Sequence, residues 1–529
     1  HFKMKRLPFK QAALYAINEV GNPTILATFT VIASVLPMAF VSGLMGPYMA
    51  PMPIGASIAM ILSLFVALTI TPYLGYIFLR EKDKKGAEEK PEKAVEDTLI
   101  YRIYNKFERP LLESKGKRWL FLLGTFAVLM GTMVLFFTNS VAVKMLPFDN
   151  KNEFQVVIDM PEGTTLERTG VVAQEISQYL SNRPEVVSYQ NYVGTSAPIT
   201  FNGLVRHYDL RGGSNMADIQ VNLLAKEDRS AQSHDIAKLM RPDIQKIAAK
   251  YNANVKLVEV PPGPPVLSTI VAEIYGPDYE EQIKVANHVQ DILKNTADVV
   301  DIDWMVEDDQ IEYQFDINKE KAMLYGVAPQ QIAYTMNMAL SNRAITNLYD
   351  EDAVNQIGLV LALDEKEKST ISDISQLKVK SKQGNMVPIS DLVDISQNTA
   401  AKSIYHKNQK RVVYVMADMA GDLESPAYAI LGMEEKLKEI PLPQGFEINE
   451  MYLGQPEFED NYTVKWDGEW QITLEVFRDL GIAFLGAIIL IYILIVGWFQ
   501  NFKAPIVMMV AIPLSLIGII LGHWLMGAF

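Results

Sequence analysis

The sequence predicts an α+β membrane protein: transmembrane helices plus a large water-soluble block built from ferredoxin-like βαββαβ units. Three observations carry this. Apolar runs of about the ~20 residues a helix needs to cross a bilayer stand on both sides of the block, with no charge in their interiors. The block between them, 140–471, holds nearly all the excess acid of a 529-residue chain of net charge −14. Inside it, strand and helix patterns follow one another in the order β-α-β-β-α-β and then begin again. A composition of 49% hydrophobic and 21% charged residues describes a mixture of membrane and soluble parts rather than one globule. The acidity argues against a nucleic-acid partner. The absence of cysteine excludes disulfides and thiolate metal ligands.

The first two spans, Thr24–Met45 and Ile54–Leu79, are joined by the uncharged Gly46–Pro53 and form a membrane hairpin, so 1–80 is one unit with a basic start. Residues 81–117 follow as a cytoplasmic linker and an interfacial helix. The linker is rich in mixed charge, Gly and Pro and cannot bury a core. In 97–112, Ile100, Ile103, Tyr104, Phe107 and Leu111 share one helical face, as in a helix lying on the membrane surface, with packing against a partner domain as the alternative. A third span, 118–139, leads into the block, and Leu480–Phe499 and Ala504–Met526 close the chain. Lys3, Lys5, Arg6, Lys10 and the basic 80–118 connection are expected in the cytoplasm, which puts the block outside it, in the periplasm if the cell is bacterial. The opening His1-Phe2-Lys3 has no initiator Met or signal-peptide pattern, and the chain stops as an apolar helix ends. A piece of a longer membrane protein is the expectation.

In the block, strand Phe154–Asp159, helix Leu166–Leu180, strands Val186–Tyr192 and Met216–Leu224, helix Ser233–Tyr251 and strand Asn254–Val260 make the first unit. The prolines of 261–265 end it. A second copy is expected from Thr269–Tyr275, Glu280–Leu293, Val299–Met305, Ile311–Ile317 and helix Pro329–Leu340, completed after an insertion by Arg411–Ala417, Ala427–Ile440 and Phe446–Met451. The segment 192–215 is too long for an ordinary strand connection. Its Tyr192, Phe201, His207 and Tyr208, set among Gly194, Gly203, Gly212 and Gly213, suit an adaptable pocket wall, with packing against the sheet as the plain alternative.

The chain resembles the resistance-nodulation-division (RND) efflux permeases, of the hydrophobe and amphiphile exporter type found in Gram-negative bacteria. The resemblance lies in Leu36-Pro37-Met38-Ala39-Phe40, Leu68-Thr69-Ile70-Thr71-Pro72, the run Glu320 to Val327 with Ile332, and Gly384-Asn385-Met386-Val387-Pro388-Ile389-Ser390, in that order on that topology. It implies that the five spans are the fifth to ninth of twelve. It also implies periplasmic porter subdomains at 140–265 and at 266–340 with 411–455, a docking subdomain at 341–410, and a connection to the membrane at 456–479 before the hairpin 480–529. By resemblance the whole protein is an inner-membrane homotrimer driven by the proton gradient, with no other cofactor. Its partners would be a periplasmic adaptor (membrane fusion) protein, an outer-membrane channel, small-molecule substrates and membrane lipid. The loop at 192–215 would separate two drug pockets, and Phe154, Gln155, Ile270 and Ile274 would stand at pocket-lining positions. The family's proton relay lies in spans this chain does not include.

Two rivals are carried. Soft-metal export by the same fold would use methionine, but Met336/Met338 on a helix and Met416/Met419 on a strand point apart within each pair. A protein-export or assembly factor would use the block to hold polypeptide. The six histidines have no ligand spacing, and no nucleophile elbow, phosphate loop or dinucleotide fingerprint occurs, so an enzyme is not expected. Glu475, Arg478 and Asp479, at the outer mouth of the fourth span, read as an interfacial anchor or an entrance gate.

Overall fold

The computed structural model describes residues 9–78, 99–138, 140, 141, 143, 144, 149–260, 263, 266–421, 423–443 and 445–527. The basic opening 1–6, the whole 80–93 linker and the prolines of 261–265 lie outside the described residues. Among the described residues, five helical stretches are long and apolar enough to cross a membrane: Ala13–Phe40, Gly43–Phe78, Lys115–Phe137, Glu469–Phe499 and Lys503–Met526. The first helix already starts at Phe9, so Glu19 falls inside the first span, which the sequence reading had begun at Thr24. The apolar count had started after Pro23, but a proline kinks a helix without ending it when neighbours hold both halves. Leu99–Glu113 forms the amphipathic helix.

Residues Glu153–Asp159 (β1), Val186–Thr195 (β2), Gly212–Leu223 (β3) and Asn254–Val258 (β4) form a four-stranded sheet in the order β2-β3-β1-β4, with every neighbour antiparallel. Period-two alternation sends Phe154, Val156 and Ile158 of β1 and Ala217, Ile219 and Val221 of β3 to one face. There they meet Val172, Ile176 and Leu180 of helix Leu166–Ser181 and Ile236, Met240 and Ile244 of helix Ser233–Ala249. Each of these large side chains contributes about 1.5–3 kcal/mol by leaving water.

A second sheet runs Asn449–Met451, Thr463–Gly468, Ile270–Tyr275 (β5), Val413–Met419, Val299–Trp304 (β6). Its core unites Ile270, Ile274, Val415 and Trp466 with Val285, Val289 and Leu293 of helix Tyr279–Lys294 and Ile430, Met433 and Leu437 of helix Pro426–Lys438. Thr463–Gly468 corrects the reading of 456–479 as a mere connection. Lys465 and Asp467 look solvent-facing in sequence, yet they are held with Glu273 and Lys407 in one ion cluster on the sheet face away from the helices. The last strand runs straight into the long membrane helix at Gly468, whose φ of 79° and contact with the Ser268 carbonyl leave no room for a Cβ.

Residues Glu307–Ser403 form a separate compact unit. Ile311–Ile317 pairs with Val393–Thr399, not with the second sheet, and Pro329–Leu340 packs Ile332 into this unit's own core with Val379, Val387 and Ile389. Both segments therefore leave the second copy, to which the sequence reading had assigned them. The run Glu320 to Val327 is explained locally: helix Lys319–Leu324 ends at Tyr325, and Gly326 takes φ 65° beside Gln383. Met336 packs on this core, while Met416 and Met419 occupy opposite faces of their strand.

Candidate functional site

Two sheets with apolar cores could join through more apolar surface, but here they meet through charge. Strand β4 lies beside β6, and its apolar alternation is interrupted by Lys256, which bonds Asp159 of β1 at 2.7 Å and also Asp303 of β6. Asn254 Nδ2 donates to Asp303 at 3.1 Å. Two residues back along β6, Asp301 pairs with Arg241 of helix Ser233–Ala249, and its carboxylate also accepts from the Leu257 amide at 3.0 Å. Burial opposes the charge on Lys256, but the carboxylates of Asp303 and Asp159 hold it protonated far above the usual ammonium range. Burial likewise works against the Asp159 carboxylate, and Lys256 with Arg211 bring it down to about 2.

The β2–β3 connection crosses this seam. Register continues to Thr195↔Gly212, so Tyr192–Thr195 and Gly212–Asn215 are strand and the true loop is 196–211, shorter than the sequence reading gave. The Thr200 hydroxyl caps helix Phe201–Arg206 by accepting from Gly203 N at 3.1 Å, and His207 turns the chain with φ 58° into Tyr208–Leu210. The loop is tied to the first sheet by Arg211, which pairs with Asp159 and Asp218, and by Ala197 N to Asp218 at 2.9 Å. It is tied to the second sheet by Arg206, which forks onto Asp418 at 2.7 and 3.3 Å. Asp418 accepts further bonds from Ser268 Oγ at 2.7 Å and from Thr269 N and Oγ1 at 3.0 Å. Burial would raise this carboxyl, but Arg206 and these donors hold it far below the usual carboxylate range.

Another cluster sits along the same seam. His234 bonds Glu259 through Nδ1 and Glu424 through Nε2, each at 2.8 Å, and Glu424 also takes Lys238 at 2.7 Å and Lys144 at 3.4 Å. Burial disfavours the imidazolium, but the hydrogen bonds it donates to the Glu259 and Glu424 carboxylates push its pKa up to about 9. At the membrane end, Asp479 accepts from the backbone N–H of Ser42 at 2.8 Å and from its hydroxyl, clasping the end of the first span to the long helix.

The candidates named from sequence divide. Phe154 is 1% exposed, and Ile270 and Ile274 are fully buried; all three pack against helices in the sheet cores, because their parity on β1 and β5 is that of the core. Gln155 has the opposite parity and faces away from the helices, as does Tyr192, whose hydroxyl donates to Gln190 at 2.6 Å. Tyr208 is half-buried under the Arg211 guanidinium, with burial raising its hydroxyl pKa, and His207 is exposed. Phe201 opens the short loop helix; its side chain lies outside the described residues. Sequence reasoning missed Arg206, Arg211, Lys256, Asp303 and Asp418. Lys256 between Val255 and Leu257, and Asp418 between Ala417 and Met419, were the available signals, since a lone charge inside an apolar strand needs a partner.

Fold and site define a class: a multi-span membrane protein whose soluble block holds two helix-backed sheets joined across buried charge. The chain belongs to the AcrB/AcrD/AcrF family, a family of RND-type transporters, which it matches over residues 1–529. It is 22% identical over 533 residues to the swarming motility protein SwrC of Bacillus subtilis, covering 99% of this chain and 46% of that protein. It is 22% identical over 527 residues to an uncharacterized transporter of Haemophilus influenzae, covering 98% of this chain and 46% of that one. The chain thus spans about half the length of the curated relatives it matches. Among solved structures, crystal forms II and I of a heavy metal efflux pump superpose with TM-scores of 0.74 and 0.72. Both are 16% identical, and each match covers 97% of this chain and 48% of the pump chain, a likeness of fold.

Proposed function

We propose that this chain forms part of a proton-driven RND efflux permease that exports hydrophobic or amphiphilic compounds from the periplasm and inner membrane through a tripartite pump. The observation that carries the reading is the charged seam bridged by Arg206 and Asp418. Buried ion pairs add little net stability relative to an apolar joint, because separated charges regain their hydration. Two sheets joined this way can part and rejoin, whereas an apolar joint would resist opening. In this reading 140–265 is one porter subdomain and 266–306 with 404–468 the other. Residues 307–403 are the docking unit, and the protein works as a homotrimer with an adaptor and an outer-membrane channel. Apart from Glu19, the charged residues of the five spans gather at span ends, so proton coupling is assigned to parts of the whole protein beyond these spans.

The test is the full-length protein in an efflux-deficient strain. Dye accumulation should fall and a protonophore should restore it, while residues 1–529 alone should do neither; protonophore-insensitive accumulation, or export by the fragment, contradicts the reading. With single cysteines in outer-permeabilised cells, Asp228→Cys should react with a membrane-impermeant label and Lys90→Cys should not. The reverse pattern overturns the periplasmic placement. Soft-metal export is the second reading, favoured by the heavy metal efflux pumps that share the fold; copper or silver tolerance conferred without any change in dye accumulation would select it.

A further inference from the structure

The third span, Lys115–Phe137, is fastened to the second sheet's helices before the chain enters the first sheet. The amides of Ser140 and Val141 both donate to the Leu135 carbonyl, at 3.0 and 3.3 Å, so these residues stay tied to the last turn of the span. Just beyond them Val143 N–H donates to the Tyr428 hydroxyl at 3.2 Å, and the Val143 carbonyl accepts from Ser425 Oγ at 2.8 Å. Ser425 and Tyr428 stand at the start of helix Pro426–Lys438. Lys144 follows, its side chain 6% exposed, and reaches Glu424 at 3.4 Å. The two bonds to Val143 would hold the backbone by themselves. Burying a lysine beside them is costly, since desolvation lowers the Lys144 pKa against the attraction of Glu424 and Glu469.

What the buried charge adds is a connection through Glu424. Its Oε2 takes Lys144, while its Oε1 accepts from His234 Nε2 at 2.8 Å and from Lys238 Nζ at 2.7 Å, both on the first sheet's helix Ser233–Ala249. The Gly421 amide donates to the same Oε1 at 3.3 Å. The backbone at Glu424 has φ 47°, a left-handed conformation that the Cβ of a glutamate makes unfavourable. One carboxylate in a strained position thus joins a membrane span, a helix of the first sheet and a helix of the second. We propose that Glu424 is a positioning residue that couples the third span to the seam, so that displacement of the span loosens or restores the joint between the two sheets. The proposal rests on the efflux reading for its role and goes beyond it by naming the route along which movement in the membrane reaches the soluble block. Charge makes the route work. Withdrawing Lys144 leaves a buried carboxylate short of a counter-charge, and its hold on His234 and Lys238 weakens with it.

The test compares the full-length protein with Lys144→Met, which removes the span's cation, and Glu424→Gln, which keeps the shape of the side chain and drops its charge. In both purified variants, amide hydrogen exchange over 234–241, on the other side of the carboxylate from Lys144, should quicken on the order of tenfold, with the core strand Glu153–Asp159 unchanged. Quickening confined to 140–144 and 425–428 would mean a local fastening, and quickening everywhere would mean lost stability; either overturns the coupling. Should both variants fail to fold, Tyr428→Phe, which loses only the hydroxyl that holds Val143, should show the same pattern at about threefold. In cells, export of rhodamine 6G should fall on the order of tenfold in Lys144→Met, while its affinity for the purified variant, read by fluorescence polarisation, stays within about twofold of wild type. Affinity lost in step with export, or export left intact, contradicts the proposal. Failure of the efflux reading would show separately, as a wild type without protonophore-sensitive export, and the exchange measurement would still decide the coupling.

Discussion

The two sheet cores and the seam between them solve the same problem, holding elements together, by opposite chemistry. In the first core, Phe154, Val156, Ile158, Ile176 and Leu180 are all at most 1% exposed and present only carbon to one another. At the seam, Lys256, Arg206, Arg241, Asp301, Asp303 and Asp418 meet as desolvated pairs. A close-packed core has one good arrangement and punishes any gap. An ion-paired joint has two acceptable states, paired in the dry interior or parted in water, and this suits the parting of the two sheets that the proposed function requires.

The largest expected effect lies on the core side. Phe154→Ala should cost about 4 kcal/mol and lower membrane abundance, harming every exported compound in proportion. A drug panel that shifts selectively at unchanged abundance would return Phe154 to the pocket. Next comes the seam. Asp418→Ala strands Arg206 in a dry site and should cost about 3 kcal/mol, while Arg206→Met with Asp418→Leu should cost far less, because the pair gives little net stability beyond packing. Additive losses in denaturant unfolding would mean that the seam is as rigid as the cores.

A smaller effect is tied to pH. The folded pKa of His234, about 9, lies above its ordinary value of 6.5. The stabilisation it provides among Glu259, Glu424, Lys238 and Lys144 is therefore full below pH 6.5 and is lost as pH rises through about 9. Melting temperature should fall over that window by the equivalent of about 2 kcal/mol, and His234→Gln should flatten the slope. An unchanged slope removes His234 from the seam's electrostatics. The smallest effect is on the loop. Thr200→Ala removes the cap on Gly203 and should cost about 1 kcal/mol locally, read as faster amide exchange over 201–206 with no change in global stability.

The cores were legible because their signals are local. Val172, Ile176 and Leu180 recur at helical spacing, and Val156 and Ile158 alternate within five residues of one another. The seam was not, because its pairs are distant: Arg206 and Asp418 are 212 positions apart, and nothing near either names the other. Gly194, Gly212 and Gly213 read as loop punctuation, which hid three residues of strand on the first side of the hairpin and four on the second. Thr463–Gly468 was hidden by Lys465 and Asp467, charges whose partners Glu273 and Lys407 come from other segments. Of the proposed pocket residues, parity alone separates Gln155 from Phe154, and it could have been applied once Val156 and Ile158 were recognised as core.

The claim that the seam opens while the cores do not can be tested by locking it. The chain has no cysteine of its own, and Asn254 and Asp303 already touch across β4 and β6. In the full-length protein carrying Asn254→Cys and Asp303→Cys, oxidation should stop dye export and reduction should restore it, with the reduced protein as its own control for folding. Full export by the completely oxidised protein would show that transport does not require the two sheets to part.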